Sequence, residues 1–90
     1  MKKKIHYLIQ GYNTYGKYGE YYGTDGAFIE AKNDFDSSKH WKFETVEEAR
    51  KVIQDMPAKD FDQWDMVRVV KVVEEWEDKD FIQSKIYTDF

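Results

Sequence analysis

The segment Met66–Trp76 constrains the fold more than any other part of this sequence. Its β-branched side chains fall on both faces of an extended strand: Val67, Val69, Val70, Val72 and Val73. Such residues favour extended backbone, and a strand that is apolar on both faces is typical of a sheet interior. Residues 4–12 share this property, because Ile5 and Ile9 point to one face and Leu8 points to the other. Two interior strands need neighbours, so the sequence predicts an antiparallel sheet of four or five strands.

One helix is predicted between these two strands. Thr45 begins a capping box, in which its hydroxyl accepts a hydrogen bond from the backbone N–H of Glu48. An apolar stripe follows at helical spacing: Val46, Ala49, Val52, Ile53 and Met56. Pro57 then ends the helix, because the residue before a proline avoids the helical conformation. The predicted fold class is therefore α+β, with this helix packed on one face of the sheet.

Glycines mark the connections in the first third of the chain. Residues 11–19 contain three glycines and are interpreted as a loop between two strands. Asp25 and Gly26 lie between two β-prone runs, which indicates a tight hairpin with a type I′ turn and places Tyr22 opposite Ile29. Three further segments are assigned from pattern alone: a short strand at 41–43, an acidic loop at 58–65, and either a short helix or a last strand at 81–87.

The size and composition of the chain limit its class. Its 90 residues and 10.9 kDa fit a single domain over residues 1–90. The absence of cysteine excludes a disulfide framework, a thiolate zinc site and a cysteine nucleophile. No apolar run approaches the roughly 20 residues that a membrane span needs. The basic start is followed by an apolar stretch, 5–9, that is too short for a secretion signal, so we expect a cytoplasmic protein.

Motifs for catalysis are incomplete in this sequence. Residues 11–17 match the GxxxxGK part of a phosphate-binding loop, but Tyr18 stands where a serine or threonine would bind Mg²⁺. His6 and His40 have no identifiable partners for a nucleophilic triad. The aspartates of segment 58–65 lack the glycine turn and bidentate glutamate of a calcium loop. We therefore predict a non-enzymatic protein with no catalytic residue, no metal and no cofactor.

Tyrosines dominate the first two hairpins and suggest a binding surface. Aromatic residues make up 18% of the chain, and we expect some of them to face a partner. The candidate contact residues here are Tyr12, Tyr15, Lys17, Tyr18, Tyr21 and Tyr22. Tyrosine on glycine-rich loops is typical of protein-binding surfaces, whereas one lysine and a net charge of −4 disfavour nucleic acid. The alternative is a small-ligand, nucleotide or single-stranded nucleic-acid binder in which Lys17 contacts phosphate. The pattern leaves open which tyrosines lie in the core.

An acidic run at the end of the valine strand is the second candidate surface. Its residues are Glu74, Glu75, Trp76 and Glu77. Residues 1–43 carry seven basic and five acidic side chains, whereas residues 44–90 carry seven basic and thirteen acidic ones. A tryptophan within an acidic run is a candidate interface anchor, because Trp is enriched at interface centres and acidic rims steer basic partners. Exposed aromatics would also allow a two-fold dimer.

The segment WKFETVEEAR at 41–50 precedes a short polar loop and the valine strand. Over residues 40–73 this arrangement resembles small uncharacterised proteins of phages and mobile elements of Gram-positive bacteria. Members of that group with a known role often bind a host protein, and some inhibit bacterial defence systems. The resemblance implies an accessory protein or inhibitor whose partner is a host or phage protein. It carries no catalytic residue over to this chain.

Overall fold

The computed structural model describes residues 2–30, 40–76 and 82–87. Its elements in chain order are strands β1 (Lys2–Asn13), β2 (Tyr18–Tyr22) and β3 (Phe28–Ile29), helices α1 (Val46–Asp55) and α2 (Ala58–Asp62), and strands β4 (Met66–Trp76) and β5 (Ile82–Tyr87). Over these ranges the strands form one antiparallel five-stranded sheet in the order β3-β2-β1-β4-β5. With α1 packed on one face, this architecture confirms the predicted α+β fold.

Strands β1 and β4 form the centre of the sheet. Their ladder runs from the pair Lys2–Trp76 to the pair Tyr12–Met66. Strand β2 borders β1 on its other side, and β5 borders β4. The interior position predicted from apolar residues on both faces is therefore confirmed for both strands. The open choice at residues 81–87 is settled for Ile82–Tyr87, which form a strand.

Helix α1 begins and ends where the sequence predicts. The Thr45 Oγ1 atom accepts a hydrogen bond from the backbone N–H of Glu48 at 3.2 Å, and Met56 leaves the helix with extended backbone before Pro57. The apolar stripe of α1 packs across β1 and β4, where it contacts the cluster around Ile9. The expectation of a loop over residues 58–65 is wrong in its first part, because α2 forms a single helical turn there.

The second hairpin differs from its prediction by one residue. Tyr22 pairs with Phe28 rather than with Ile29. A type I′ turn needs positive φ at both central residues. Gly26 has φ of 85°, but Asp25 does not lie in the positive region. The loop therefore contains three residues instead of two, and the extra residue shifts the pairing.

Residues 40–43 connect β1 with the end of β2. Phe43 exchanges two backbone hydrogen bonds with Tyr7 of β1, each 2.8 Å long. His40 forms a single bridge with Gly23. Two isolated bridges thus replace the short strand predicted for this segment. They place its side chains alternately on the two faces of the sheet.

Both faces of the sheet are buried at its centre. On the face covered by α1, called the helix face below, the buried cluster is Ile9, Tyr22, Phe43, Ala49, Met56 and Val69. On the other face, called the opposite face, it is Leu8, Tyr21, Val70 and Val72. Among the described residues, the largest fully buried side chains come from β1 and β4. These two strands therefore form the centre of the core, and the first hairpin lies on their β2 side.

Candidate binding surface at the first hairpin

The turn between β1 and β2, residues 14–17, is tied to the loop that follows α2. The backbone N–H and the hydroxyl of Thr14 donate to Asp65 Oδ2 at 2.8 and 2.9 Å. In return, the Asp65 backbone N–H donates to Asn13 Oδ1 at 2.9 Å. Hydrogen bonds from the Thr14 side chain and backbone lower the pKa of Asp65. These bonds join positions about fifty residues apart and hold the turn in one orientation.

The structure divides the tyrosine cluster between surface and core. Tyr15 is 96% exposed and Tyr18 is 45% exposed. Tyr21 and Tyr22 are only 6% and 8% exposed, so they are core side chains and cannot offer a contact surface. Tyr12 is partly buried. For Tyr21 and Tyr22 the expectation of contact residues is thereby corrected, because alternate residues of β2 point to opposite faces that are both packed.

Lys17 is exposed in the same turn as Tyr15. Its backbone adopts φ of 52°, in the left-handed region, directly after Gly16 at φ 93°. Strand β2, and not a helix, follows this turn. A helix N-terminus that would direct backbone N–H groups at a phosphate is therefore missing from this position. Lys17 is consequently a single exposed cation beside the tyrosine rather than part of a phosphate cradle.

Six aromatic side chains form a continuous row on the helix face, called the aromatic row below. In spatial order they are Tyr18, Trp64, Phe28, Tyr22, Trp41 and Phe43. Neighbouring ring centroids are separated by 5.0 to 6.3 Å, in stacked and edge-to-face arrangements that stabilise aromatic pairs. Tyr18 and Trp41 keep 45% and 37% of their surface exposed. Tyr22 and Phe43 are buried, whereas Phe28 and Trp64 are partly buried. The row therefore extends from the core to solvent, which it reaches most at Tyr18 and Trp41.

The row depends on a glycine in β1. A Cβ atom at Gly11 would lie 2.5 Å from Cε2 and Nε1 of the Trp64 indole. The ring therefore packs directly on the Gly11 backbone, which only a residue without a side chain permits. In this position Trp64 contacts Tyr18 on one side and Phe28 on the other.

Replacing Gly11 by alanine is expected to lower the free energy of unfolding by about 1–3 kcal/mol, because the new methyl group displaces the indole and disturbs the row. Urea denaturation of the variant measures this loss. The matched test is the same substitution in a Trp64→Ala background, where the added methyl group meets no ring. If Gly11→Ala lowers the free energy of unfolding as much without the indole as with it, the packing of Trp64 does not explain why glycine is needed at position 11.

Acidic side chains act on two rings of the aromatic row, Tyr18 and Tyr22. Partial burial raises the pKa of the Tyr18 hydroxyl, and the charges of Glu20 and Glu30 raise it further. Burial likewise raises the pKa of Tyr22, with added contributions from the charges of Asp60 and Asp25. Four acidic residues thus act on two rings of the row.

The opposite face carries a chain of polar contacts at the level of the first hairpin. Arg68 Nε donates to Gln10 Oε1 at 2.7 Å, and Gln10 Nε2 donates to the Tyr21 hydroxyl at 3.1 Å. The Arg68 guanidinium lies 4.7 Å from the centre of the Tyr12 ring, which is cation–π geometry. Tyr12 and Tyr21 therefore both take part in this network.

The acidic run at the end of β4 does not form a uniformly exposed surface. Glu74 is 8% exposed, and its Oε1 lies 3.9 Å from Nε2 of buried His6. In the register, Glu74 faces Lys4 and Glu75 faces Lys3, so lysines of β1 border the acids. The side chain of Trp76 and all of Glu77 lie outside the described residues. For Glu74 the expectation of a contact residue is corrected, because β1 covers one flank of this interior strand.

The two histidines are buried on the opposite face. His6 and His40 are 4% and 3% exposed. Burial, together with the charges of Lys42 and Lys4, lowers the pKa of His6 to about 4, so its 3.9 Å contact with Glu74 is not an ion pair at neutral pH. Within the described ranges, no three His, Asp or Glu side chains are placed to hold a metal ion.

Comparisons with protein-family models, with curated proteins and with solved structures found no match. Of the two described helices, neither has the length and hydropathy to cross a bilayer.

Sequence reasoning missed three contributors to this surface: Trp64, Asp65 and Trp41. They come from segments assigned as a loop and a short strand, and they reach the first hairpin only through the tertiary fold. One local signal was available, since tryptophan in an acidic loop is uncommon unless the ring is packed or binds. Gly11, on which Trp64 packs, gave no such signal, because it lies in the segment interpreted as a loop.

Proposed function

We propose that this chain is a non-enzymatic protein-binding module that contacts its partner through the β1–β2 turn. The observation that carries the proposal is Tyr15, a ring 96% exposed on a turn held by hydrogen bonds to Asp65. An exposed aromatic side chain is ordinary on a mobile loop. On an anchored turn it is a preformed contact.

The physical advantage is a lower entropic cost of binding. Tyrosine offers a large amphipathic contact area with two side-chain torsions to restrict. Ordering a loop during association weakens affinity, whereas a turn already fixed by Thr14 and Asp65 avoids that loss. Tyr18 lies beside the turn and is partly exposed, so it extends the same surface.

The resemblance of residues 40–73 to phage and mobile-element proteins supports a host or phage protein as the partner, with inhibition of a host defence protein as one such role. Nucleotide or single-stranded nucleic-acid binding is the second candidate in the same place. The carboxylates near Tyr18 and Tyr22 oppose it, because they repel a phosphate backbone.

Replacing Tyr15 by serine is expected to reduce retention of the partner about thirtyfold or more, since anchor residues at an interface centre contribute about 2 kcal/mol or more. The experiment immobilises the wild-type chain and the Tyr15→Ser variant and quantifies proteins retained from a Gram-positive bacterial lysate by mass spectrometry. Nuclease treatment of the lysate separates protein partners from nucleic-acid ones.

Tyr87→Ser is the matched control, because Tyr87 is 47% exposed on β5, away from the turn. A protein kept by the wild type and by Tyr87→Ser, but lost with Tyr15→Ser, supports the proposal. The proposal is contradicted if all three chains retain the same proteins equally. It is also contradicted if nuclease abolishes retention or if no protein is retained.

A further inference from the structure

Arg68 lies on the opposite face, at the end of the sheet that carries the first hairpin. Its Nε–H donates to Gln10 Oε1 at 2.7 Å, and its guanidinium lies 4.7 Å from the centre of the Tyr12 ring. Gln10 is only 7% exposed, and its Nε2 donates in turn to the hydroxyl of buried Tyr21 at 3.1 Å. The guanidinium is therefore held at one edge and on one face before any ligand binds.

The outer edge of this guanidinium has no acceptor in the part of the chain that the structure describes. An arginine side chain carries five N–H donors, and Gln10 takes the one on Nε. None of the described carboxylates lies in ion-pair contact with Arg68. Because Arg68 is only partly buried, the N–H groups of its two Nη atoms can meet an acceptor that comes from another molecule.

The neighbours of Arg68 are residue types that interfaces favour. Met66 lies on the same face, is the register partner of Tyr12, and keeps 37% of its surface exposed. Tyr15 follows Tyr12 three positions later, on the anchored turn. Tyrosine, methionine and arginine are enriched in protein–protein interfaces relative to the rest of the surface. Arg68 therefore adjoins the surface of the proposed function and adds a positive charge to it.

We propose that Arg68 binds a carboxylate of the partner protein, from an aspartate or glutamate side chain, at the same interface as Tyr15. This inference rests on the proposed function and specifies the chemistry of the partner. A planar guanidinium presents parallel N–H groups that match the two oxygens of a carboxylate. Because Gln10 and Tyr12 already hold the group, binding restricts little further side-chain motion. A nucleic-acid backbone is a poorer match, because a chain of net charge −4 repels it.

The test follows the side-chain signals of Arg68 Nε–H and of the Gln10 amide by NMR at constant ionic strength. The first probe is a capped tripeptide with one glutamate between two glycines, and the second carries glutamine in its place. The glutamate peptide is expected to shift both signals to saturation, whereas the glutamine peptide is expected to leave them unchanged. A single-stranded hexathymidylate is the third probe and is expected not to bind at these signals.

Arg68→Lys keeps the positive charge but removes the planar fork. It is expected to weaken binding of the glutamate peptide about fivefold or more, since one charge-assisted hydrogen bond is lost. Arg50→Lys is the matched control, because Arg50 is exposed on α1, which packs on the helix face. We expect this control to change the affinity less than about twofold, because an exposed charge elsewhere on the surface contributes little. The Gln10 amide reports binding in both variants.

The inference is overturned if the glutamate peptide gives no saturable shift, if the two peptides shift the signals equally, or if the two variants bind the glutamate peptide equally well. Binding of hexathymidylate in place of the glutamate peptide also overturns it. Failure here is distinguishable from failure of the proposed function. A partner lost specifically with Tyr15→Ser supports the function even when the glutamate peptide does not bind. Binding of the glutamate peptide at Arg68 with no partner retained supports the carboxylate site and contradicts the function.

Discussion

Replacing Leu8 by alanine is expected to lower the free energy of unfolding by about 2–5 kcal/mol. Leu8 is fully buried in β1, on the face opposite α1, where it packs with Val70 and Val72 of β4. Truncation removes apolar contacts and leaves a cavity on this face of the sheet, and the ladder between β1 and β4 keeps their backbones from moving to fill it. The total free energy of unfolding of a small domain is about 5–15 kcal/mol, so this loss is a large share of it.

Ile5→Ala is the matched control for this prediction. Ile5 lies in the same strand, three positions earlier, but is 44% exposed. Ile5→Ala is expected to lower the free energy of unfolding by less than about 1 kcal/mol. Urea denaturation at neutral pH compares the two variants. If Leu8→Ala costs no more than Ile5→Ala, the opposite face is not a packed core, and the description of β1 as buried on both sides fails.

The strands and helix that local signals determine were predictable from the sequence. The valine segment showed that β4 is interior, because β-branched residues occupy both of its faces. The capping box at Thr45 and the proline at 57 located both ends of α1. In each case neighbouring residues alone decide the backbone conformation. Tertiary contacts reinforce these choices and do not reverse them.

Positions that depend on distant residues were not predictable. The same dipeptide, Asp25-Gly26, suits a two-residue and a three-residue loop, so the register of β3 could not be decided locally. Likewise, tyrosine is compatible with core and with surface. Tyr15 and Tyr21 differ in exposure because one lies in a turn and the other in a strand packed on both faces.

The acidic run illustrates how a charge pattern misleads when the strand order is unknown. Glu74 looked exposed because charged residues surround it in sequence. In the sheet it lies next to β1, where His6 is its buried neighbour and Lys4 is its register partner. The four acidic residues that raise the pKa values of Tyr18 and Tyr22 come from separate segments, and none of these segments alone indicates the grouping.

Lowering the pH from about 7.5 to about 4 is expected to remove roughly 3 kcal/mol of stability through His6 alone. In the unfolded chain this imidazole has a pKa of 6.5, whereas burial, with the charges of Lys42 and Lys4, lowers it to about 4 in the folded protein. Between these values the unfolded state binds a proton that the folded state does not, so unfolding becomes more favourable as the pH falls. Each pKa unit corresponds to about 1.4 kcal/mol.

The measurement is the free energy of urea unfolding at about pH 7.5, 5.5 and 4 for the wild type and for His6→Gln. Titration of carboxylates such as Asp65 also lowers stability in acid, but it contributes alike to both proteins and cancels in their difference. His40→Gln is the control: the pKa of His40 is lowered too, mainly by burial, but this variant keeps the contribution of His6. A difference between wild type and His6→Gln should therefore grow as the pH falls below 6.5 and level off near 4.

The nearby carboxylate makes this prediction sensitive to the geometry of the opposite face. Glu74 Oε1, 3.9 Å from Nε2, would favour a protonated His6, whereas burial and the two lysines favour the neutral ring. Removing the carboxylate by Glu74→Gln should therefore leave the acid loss in place or enlarge it. Direct titration of the His6 ring by NMR is decisive: an imidazole that titrates near 6.5 in the folded protein would mean that burial does not dominate at this position.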